Sequence, residues 1–326
     1  MSLFDGMSCG QIALTNLGCF PDKYYASEVD KFAIQQTHQV FPETIHIGDV
    51  TRVDVSKLDK IDLIIGGSPC QSFSFAGKRV GMATTENIEI TDLDQYLDLK
   101  IMGFEFTGQS YLFWEYMRIL TEVRKYNPDV KFLLENVKMA KKWEAVLTNA
   151  IGVEPVMINS NLVSAQNRKR LYWTNIAEIT QPEDEGLFIR DILEDDVDEK
   201  YCVSDKALEG MINRARVNAE KGNGFGACVV SPNGKANTLL VSPQSRDHNL
   251  IEANRGKTVT DGKSIGITEA LQNGSALRRL TPTECARLQT VPDWYEWVVS
   301  DTQIYRMCGN GWTVRVIEHI LKNLFV

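Results

Sequence analysis

Four groups of residues in this chain have types and spacings that could do chemistry. The first is Gly66-Gly67-Ser68-Pro69-Cys70-Gln71, which follows the apolar run Ile61-Asp62-Leu63-Ile64-Ile65. A strand over that run delivers Cys70 onto a turn whose course the glycines and Pro69 restrict. The thiolate, a minor species for a thiol of pKa ~8.5 at neutral pH, is a strong nucleophile. The second is Glu135-Asn136-Val137 behind Phe132-Leu133-Leu134. A carboxyl group at an apolar strand end loses solvent, which raises its pKa and suits it to donate a proton. A plainer role for Glu135 is to cap a helix over Met139–Leu147. The third is Gln166-Asn167-Arg168-Lys169-Arg170, where alternation puts both arginines on one side of an extended segment. Paired guanidiniums suit a phosphate and a base carbonyl. The fourth is the turn Phe4-Asp5-Gly6-Met7-Ser8-Cys9-Gly10, together with Glu28 and Asp49.

The elements that must position these groups follow from apolar periodicity. Short buried runs alternate with helical patterns over the first 180 residues, which predicts a parallel sheet with helices on both faces. Strands are expected at Leu3-Phe4, Tyr24–Ala26, Ile45–Ile47, Ile61–Ile65, Lys131–Leu134, Val153–Ile158 and Leu171–Trp173. Helices are expected at Gln11–Leu17, Lys31–Val40, Leu112–Arg124, Pro282–Leu288 and Val314–Leu324. Glu28 and Asp49 then end the second and third strands, at the edge where open α/β sheets bind ligands. Neither G-x-G-x-x-G nor a P-loop occurs, so the pyrophosphate cradle of dinucleotide sites is missing. Glu28 could accept two ribose hydroxyls and Asp49 an adenine amino group. That pattern suits a nucleoside cofactor without a diphosphate, of which S-adenosylmethionine is the commonest. Gln71–Gln109 is too long for an ordinary connection and reads as a lid or a partly mobile insertion, with Thr84–Asp98 its inserted middle.

The chain of 326 residues permits two domains at about 100–200 residues each. Its 43% hydrophobic and 24% charged residues exclude disorder and fibrous repeats. No run approaches the ~18 apolar residues of a membrane span, and the first residues lack the pattern of a secretory signal. Seven cysteines without a C-x-x-C pair match neither a disulfide framework nor a metal site, which points to a reducing cytoplasm. The net charge of −8 argues at first against a nucleic-acid partner. Between Gln181 and Lys200, however, nine acids face two bases, so the remainder sums to −1, and Asp205–Arg279 carries a local +4. A DNA-binding face is therefore compatible with the charge. Residues 201–277, where Gly, Asn and Ser punctuate short Val/Thr/Leu runs, read as two irregular β-hairpins around Gly234–Thr238 and Gly256–Thr260. The acidic stretch 181–200 reads as a linker or a surface helix.

These motifs, with Arg279–Gln289 and Gly309-Asn310-Gly311-Trp312, occur in an order that resembles the DNA (cytosine-5) methyltransferases over nearly the whole chain. Phe4-Asp5-Gly6, Ser27-Glu28-Val29, Val163-Ser164-Ala165 and Trp312 are most similar to the catalytic domain of the animal de novo enzymes and their bacteriophage relatives. The resemblance implies a Rossmann-like, S-adenosylmethionine-dependent α/β lobe from 1–180 and 278–326, and a smaller, mostly irregular β target-recognition domain at 201–277. It implies that Cys70 attacks C6 of a flipped cytosine, that Glu135 protonates or hydrogen-bonds N3, and that Arg168 and Arg170 hold the base carbonyl and phosphates. Phe4, Asp5, Gly6, Met7, Cys9, Glu28, Val29, Asp49, Val50, Pro69, Leu112, Asn310 and Trp312 would line the cofactor site. Ser72–Arg79 would be the working part of a loop closing over the base. DNA is the implied partner, with no metal and no membrane, in the cytoplasm of a bacterial or phage-infected cell. Monomer and homo-oligomer both stay open. An RNA cytosine-5 methyltransferase, or a DNA-binding homologue without turnover, would use the same framework. Joint retention of Cys70, Glu135 and Arg170 speaks against the second. Two departures stand out: Ser8 and Thr290 each occupy a position where the family usually carries glycine.

Overall fold

The computed structural model describes residues 1–73, 81–222, 226–241, 249–253, 265–272 and 276–325. These divide into two compact units, Met1–Ile158 with Lys169–Gln181 and Ile317–Val326, and Asn159–Arg168 with Pro182–Val316.

The first unit opens with β1 (Ser2–Leu3), α1 (Cys9–Asn16), β2 (Tyr25–Ser27), α2 (Lys31–Val40), β3 (Ile45–His46) and β4 (Leu63–Gly67). It continues with α3 (Leu93–Ile101), α4 (Phe113–Tyr126), β5 (Lys131–Val137), α5 (Lys141–Ile151) and β6 (Val156–Asn159). After a short strand, β7 (Gln166–Asn167), the chain adds β8 (Lys169–Thr174). The sheet runs β3-β2-β1-β4-β5-β8-β6. Pairs from β3 through β5 are parallel, and β8 runs antiparallel to β5. Because β1 pairs with β2 on one side and β4 on the other, the strand order reverses there, and the crevice beyond the carboxyl ends of β1 and β4 is the place where such sheets hold ligands. Ile64 and Ile65 of β4 and Phe132, Leu133 and Leu134 of β5 are buried, as expected of strands covered on both faces. α4 buries Phe113, Trp114, Tyr116, Met117, Ile119, Leu120 and Val123 into the same core.

Two expectations change here. β5 runs on through Glu135 and Asn136 to Val137, and α5 begins only at Lys141 with Ala140 as its N-cap, so Glu135 caps no helix. The stretch after Cys70 is not a loose insertion over its described residues: it carries α3, whose Tyr96 and Leu99 are buried in the core of this unit. Apolar side chains three and four apart (Leu93, Tyr96, Leu97), with Leu99 beside them and acids between, make that helix worth burying. Residues 74–80 lie outside the described residues, and with them most of Ser72–Arg79.

The second unit contains α6 (Asp205–Glu220), β9 (Cys228–Val229), β10 (Ala236–Asn237), β11 (Asn249–Glu252), β12 (Ile265–Gly266), α7 (Ile267–Gln272), β13 (Leu277–Arg279), α8 (Pro282–Leu288) and α9 (Asp301–Asn310). α10 (Val314–Leu321) starts in this unit and ends in the first. The strands form a sheet ordered β12-β9-β11-β13, and β10 pairs in parallel with β7. Gly234–Thr238 is therefore no hairpin: its strand pairs with the remote Gln166-Asn167. Gly256–Thr260 lies outside the described residues. α6 was not anticipated; Gly210 and a polar surface mask its apolar side, but Leu208 and Met211 enter a core with Val229, Leu250, Ile267 and Leu277. α8 matches its expected span, with a Thr281/Glu284 capping box and Pro282 in the first turn. Residues 278–316 cluster with this unit because β13 pairs with β11 and the buried Arg278–Glu284 ion pair (2.8 Å) ties α8 to it. The acidic segment forms two short 3-10 turns, Ile189–Asp191 and Glu199–Tyr201, rather than a helix.

Candidate active site

In the first unit, the turn after β1 is held in an unusual backbone. Phe4, Gly6 and Ser8 all have left-handed φ, at 60°, 57° and 61°. Such positions cost of order 1–3 kcal/mol for a non-glycine residue and persist only where surrounding bonds enforce them. Here Asp5 N–H donates to Ser27 O (3.1 Å) and Ser8 N–H to Asp5 O (2.9 Å). Ser8 thus keeps the conformation for which glycine is the easier residue. Thr290, the second departure, does the same at φ 54°, with its hydroxyl accepting from Arg315 N–H (2.9 Å) and donating to Gln289 O (2.7 Å).

Acids ring the turn after β1. Glu28, just beyond β2, accepts from Gly6 N–H with one oxygen and from Val29 and Asp30 N–H with the other, each at 2.8 Å. A carboxylate offers about four acceptor sites, so one remains for a ligand. Asp49, beyond β3, accepts from Thr51 N–H through Oδ1 (2.9 Å), and its Oδ2 takes no hydrogen bond among the described residues. Asp5 is buried; burial pushes its carboxyl up to about 6, against the Tyr24 hydroxyl that donates to its Oδ1 at 3.0 Å. Its Oδ2 is buried and makes no hydrogen bond among the described residues. A buried acid with an unmet oxygen and two half-buried carboxylates with acceptor capacity fit a cofactor that carries a cation, a ribose and an amino-purine. Met7 and Cys9 are buried under the turn, Val50 is buried behind Asp49, Leu112 caps α4, and Val29 is largely exposed. A Cβ on Gly6 would meet nothing within 4 Å, which leaves its backbone open to close approach.

The turn after β4 carries Pro69 and Cys70. Asn136 on β5 fixes its start, donating through Nδ2 to Ser68 Oγ (2.9 Å) and Ser68 O (3.2 Å). Phe73 N–H closes it on Cys70 O (2.9 Å), and Ser72 N–H donates to the buried Ser110 Oγ (3.1 Å). Gly81 N–H meets Ser72 O at 3.1 Å. Gly81 must be glycine on two counts: its φ is 76°, and a Cβ would stand 1.8 Å from Trp143 Cζ2. Next to this turn, Glu135 pairs across the β5–β8 ladder with Arg170, Nε to Oε1 at 2.9 Å, both side chains nearly buried. The structure thus brings Cys70, Glu135 and Arg170 onto adjoining strand ends of one unit, through the register Gly67–Glu135 and Val137–Arg170.

Arg168 lies in the second unit and has a different environment. It is 3% exposed, and its Nη2 donates to Gly311 O (2.8 Å) and Gly309 O (3.2 Å). Gln289 Nε2 donates to Cys308 O (2.5 Å) and Gly311 O (3.2 Å), and Thr313 Oγ1 bonds Gln289 Oε1 (3.0 Å) and Ser160 Oγ (2.8 Å). Carbonyls at the end of α9 have no intrahelical partner and carry the negative end of the helix dipole, so a guanidinium is well suited to them. This network shapes the loop that carries Asn310, which is exposed, and Trp312, which is buried.

Over residues 1–98 and 100–326 the chain matches the family described as C-5 cytosine-specific DNA methylase. The chain belongs to that family. Among its relatives, the type II methyltransferase M1.ScrFI of Lactococcus lactis subsp. cremoris is 31% identical over 92% of this chain and 71% of its own length. M.HpaII of Haemophilus parainfluenzae is 30% identical over 99% of this chain and 88% of its own. The orphan methyltransferase M.SPRI of Bacillus phage SPR is 25% identical over 99% and 96%. The fold is shared with a mutant form of Spodoptera frugiperda DNMT2, at a TM-score of 0.66 and 21% identity over 100% and 99% of the two chains. The chain is therefore a DNA cytosine-5 methyltransferase by family, and methyltransferases of this kind use S-adenosylmethionine. Among the described residues no helix is long and apolar enough to cross a membrane, and no group of His, Cys, Asp and Glu could hold a metal.

Sequence reasoning missed three linked residues, Glu115, Arg118 and Lys100, the last two of which bond carbonyls of the turn that carries Asp49 and Val50. Glu115 is fully buried on α4 and accepts from Tyr96 OH and Lys100 Nζ, both at 2.5 Å, and from Arg118 Nε at 2.7 Å. Burial works against its charge, but the hydrogen bonds from Lys100, Tyr96 and Arg118 outweigh it and hold the carboxyl below its ordinary value. The available signal was a carboxylate and an arginine three residues apart inside Phe113-Trp114-Glu115-Tyr116-Met117-Arg118-Ile119, an otherwise apolar helix face.

Proposed function

We propose that this methylase flips a target cytosine out of duplex DNA and methylates C5 through a covalent adduct on Cys70. The observation that carries this is the Glu135–Arg170 pair at 2.9 Å, on the strand that also fixes the Cys70 turn through Asn136 and Ser68. The thiolate of Cys70 forms a bond to C6 while Glu135 hydrogen-bonds or protonates N3, so that electron density arrives at C5. S-adenosylmethionine, when bound, would supply the electrophilic methyl group there, its sulfonium S–CH3 bond breaking to leave a neutral thioether. Loss of the C5 proton then restores the C5–C6 double bond and breaks the bond to sulfur. Arg170 holds Glu135 in place and is suited to reach the cytosine carbonyl. Phe4, Asp5, Gly6, Glu28, Asp49 and Val50, all in the first unit, would hold the cofactor. Arg168 acts on the loop of Asn310 and Trp312 as a positioning residue. Residues 201–277, with their local positive charge, read the target sequence, and the bacterial and phage relatives support a cytoplasmic site of action.

Duplex DNA containing 5-fluorocytosine tests this, because fluorine cannot leave C5 as a proton does. The protein should remain attached to that DNA in SDS only when S-adenosylmethionine is present. Cys70→Ser should abolish the adduct, since a hydroxyl ionises far less readily than a thiol. A wild-type protein that binds the fluorinated duplex tightly and never forms the adduct would overturn the mechanism.

A further inference from the structure

The turn that carries Asp49 and Val50 has little structure of its own: it is the three-residue 3-10 helix Val50–Arg52, begun by the Asp49 side chain. Three of its carbonyls are nevertheless held from outside. Arg118 on α4 donates through Nη2 to Val50 O and through Nη1 to Val53 O, both at 3.1 Å, and Lys100 on α3 reaches Thr51 O at 3.4 Å. Both cations are anchored by the same buried carboxylate, Glu115. Tyr96 of α3 adds its hydroxyl to that carboxylate, and Glu122 grips Arg118 from the outer turn of α4 (3.0 Å).

A fully buried carboxylate costs several kcal/mol unless it is well paired, so this cluster is an expensive arrangement for stability alone. Hydrophobic replacements of similar volume would pack α3 on α4 as well. What such replacements could not supply is a rigid fork aimed at two carbonyls three residues apart. We propose that Glu115, Arg118 and Lys100 are positioning residues for the cofactor: they hold the Val50–Val53 carbonyls so that Asp49 and Val50 are set before the cofactor binds. This rests on the assignment of Asp49 and Val50 to the S-adenosylmethionine site. Because Lys100 and Tyr96 lie on α3, the segment following the cysteine turn is tied to the same carboxylate.

The test uses the full chain and S-adenosylmethionine itself. Arg118→Lys keeps a cation beside Glu115 but cannot reach both carbonyls. It should raise KM for S-adenosylmethionine about tenfold, the equivalent of roughly one net hydrogen bond, with kcat and the KM for DNA within about twofold of wild type. Lys100→Met, at a partly exposed position, should raise that KM less, about two- to threefold, and hydrogen exchange across residues 47–54 should quicken in both variants. Should Arg118→Lys fail to fold, Lys100→Met carries the same two readouts. Asp49→Ala is the companion variant. If it weakens cofactor binding while Arg118→Lys and Lys100→Met leave KM and exchange at wild-type values, the positioning role is overturned and the cofactor assignment stands. If Asp49→Ala leaves cofactor binding unchanged, the cofactor assignment itself fails, and the positioning role fails with it.

Discussion

Arg168 and Arg170 stand two residues apart, yet they belong to different compact units and meet opposite kinds of partner. Arg170 faces a carboxylate, Glu135, at the edge of the large sheet. Arg168 is buried against neutral carbonyls at the end of α9 in the second unit. The first pairing puts a carboxyl group and a guanidinium beside the Cys70 turn. The second satisfies helix-end acceptors that would otherwise be left without partners. Under the proposed mechanism, identical side chains in one short motif are divided between chemistry and support.

Removing each side chain sharpens that division. Arg170→Ala or Glu135→Gln should slow methyl transfer at saturating DNA and cofactor by about 10²–10⁴-fold, the range for loss of a positioned proton donor or its orienting partner. Single-turnover kinetics would measure it, and full turnover in Arg170→Ala would remove that residue from the reaction. Arg168→Met should act first on folding. Two buried carbonyls lose a charged donor, so unfolding free energy in urea should fall by about 2–4 kcal/mol, while the folded fraction keeps far more turnover than Arg170→Ala. Unaltered stability with abolished turnover would instead put the Arg168 guanidinium on the substrate.

A fourth substitution separates burial from pairing. Asp5 titrates near 6 in the folded protein and near its ordinary 3.8 in the unfolded chain. Between those values the folded state keeps a proton that the unfolded state has released, so this group makes stability fall as pH rises from about 4 to about 6. Above that range its contribution is flat. Asp5→Asn abolishes the titration, so its unfolding free energy relative to wild type should be near zero at pH 4 and exceed it by about 2–3 kcal/mol at pH 7. A difference that stays constant across that range would mean that the carboxyl is not desolvated. The smallest effect concerns the basic residues of the second unit. Replacing the exposed Lys206 and Lys221 at the two ends of α6 with Gln should weaken DNA binding a few-fold and reduce the salt slope by at most about 0.9 for each phosphate no longer neutralised. kcat at saturating DNA should not change, and a fall in kcat would mean that this part of the second unit does more than bind.

Local composition was enough for several of these elements. α2 and α8 match their expected spans because each combines an apolar side with a capping residue, Asp30 or Thr281, at its start. Cys70, Glu135 and the acids Glu28 and Asp49 were legible for a related reason. Each ends a short apolar run of the sequence or stands just past it, and strand direction then sends all of them to one edge of the sheet. α3 and α6 were not legible, since polar surfaces and, in α6, an internal glycine dilute the periodicity that burial against a neighbouring element later justifies.

What only the tertiary structure decided were the partners. Alternation along Gln166–Arg170 is satisfied equally by two arginines facing one ligand and by two that serve different units. The choice depended on β8 pairing antiparallel with β5, which brings Arg170 to Glu135, and on the end of α9 meeting Arg168. The burial of Glu115, and its hold through Arg118 and Lys100 on carbonyls of the remote Val50–Val53 turn, has the same origin. Residue types and spacings determine which side chains can react or bind, because strand and helix periods are local. Long-range packing determines which of them meet, because a carboxylate or a guanidinium takes its role from whatever partner the fold places within about 3 Å of it.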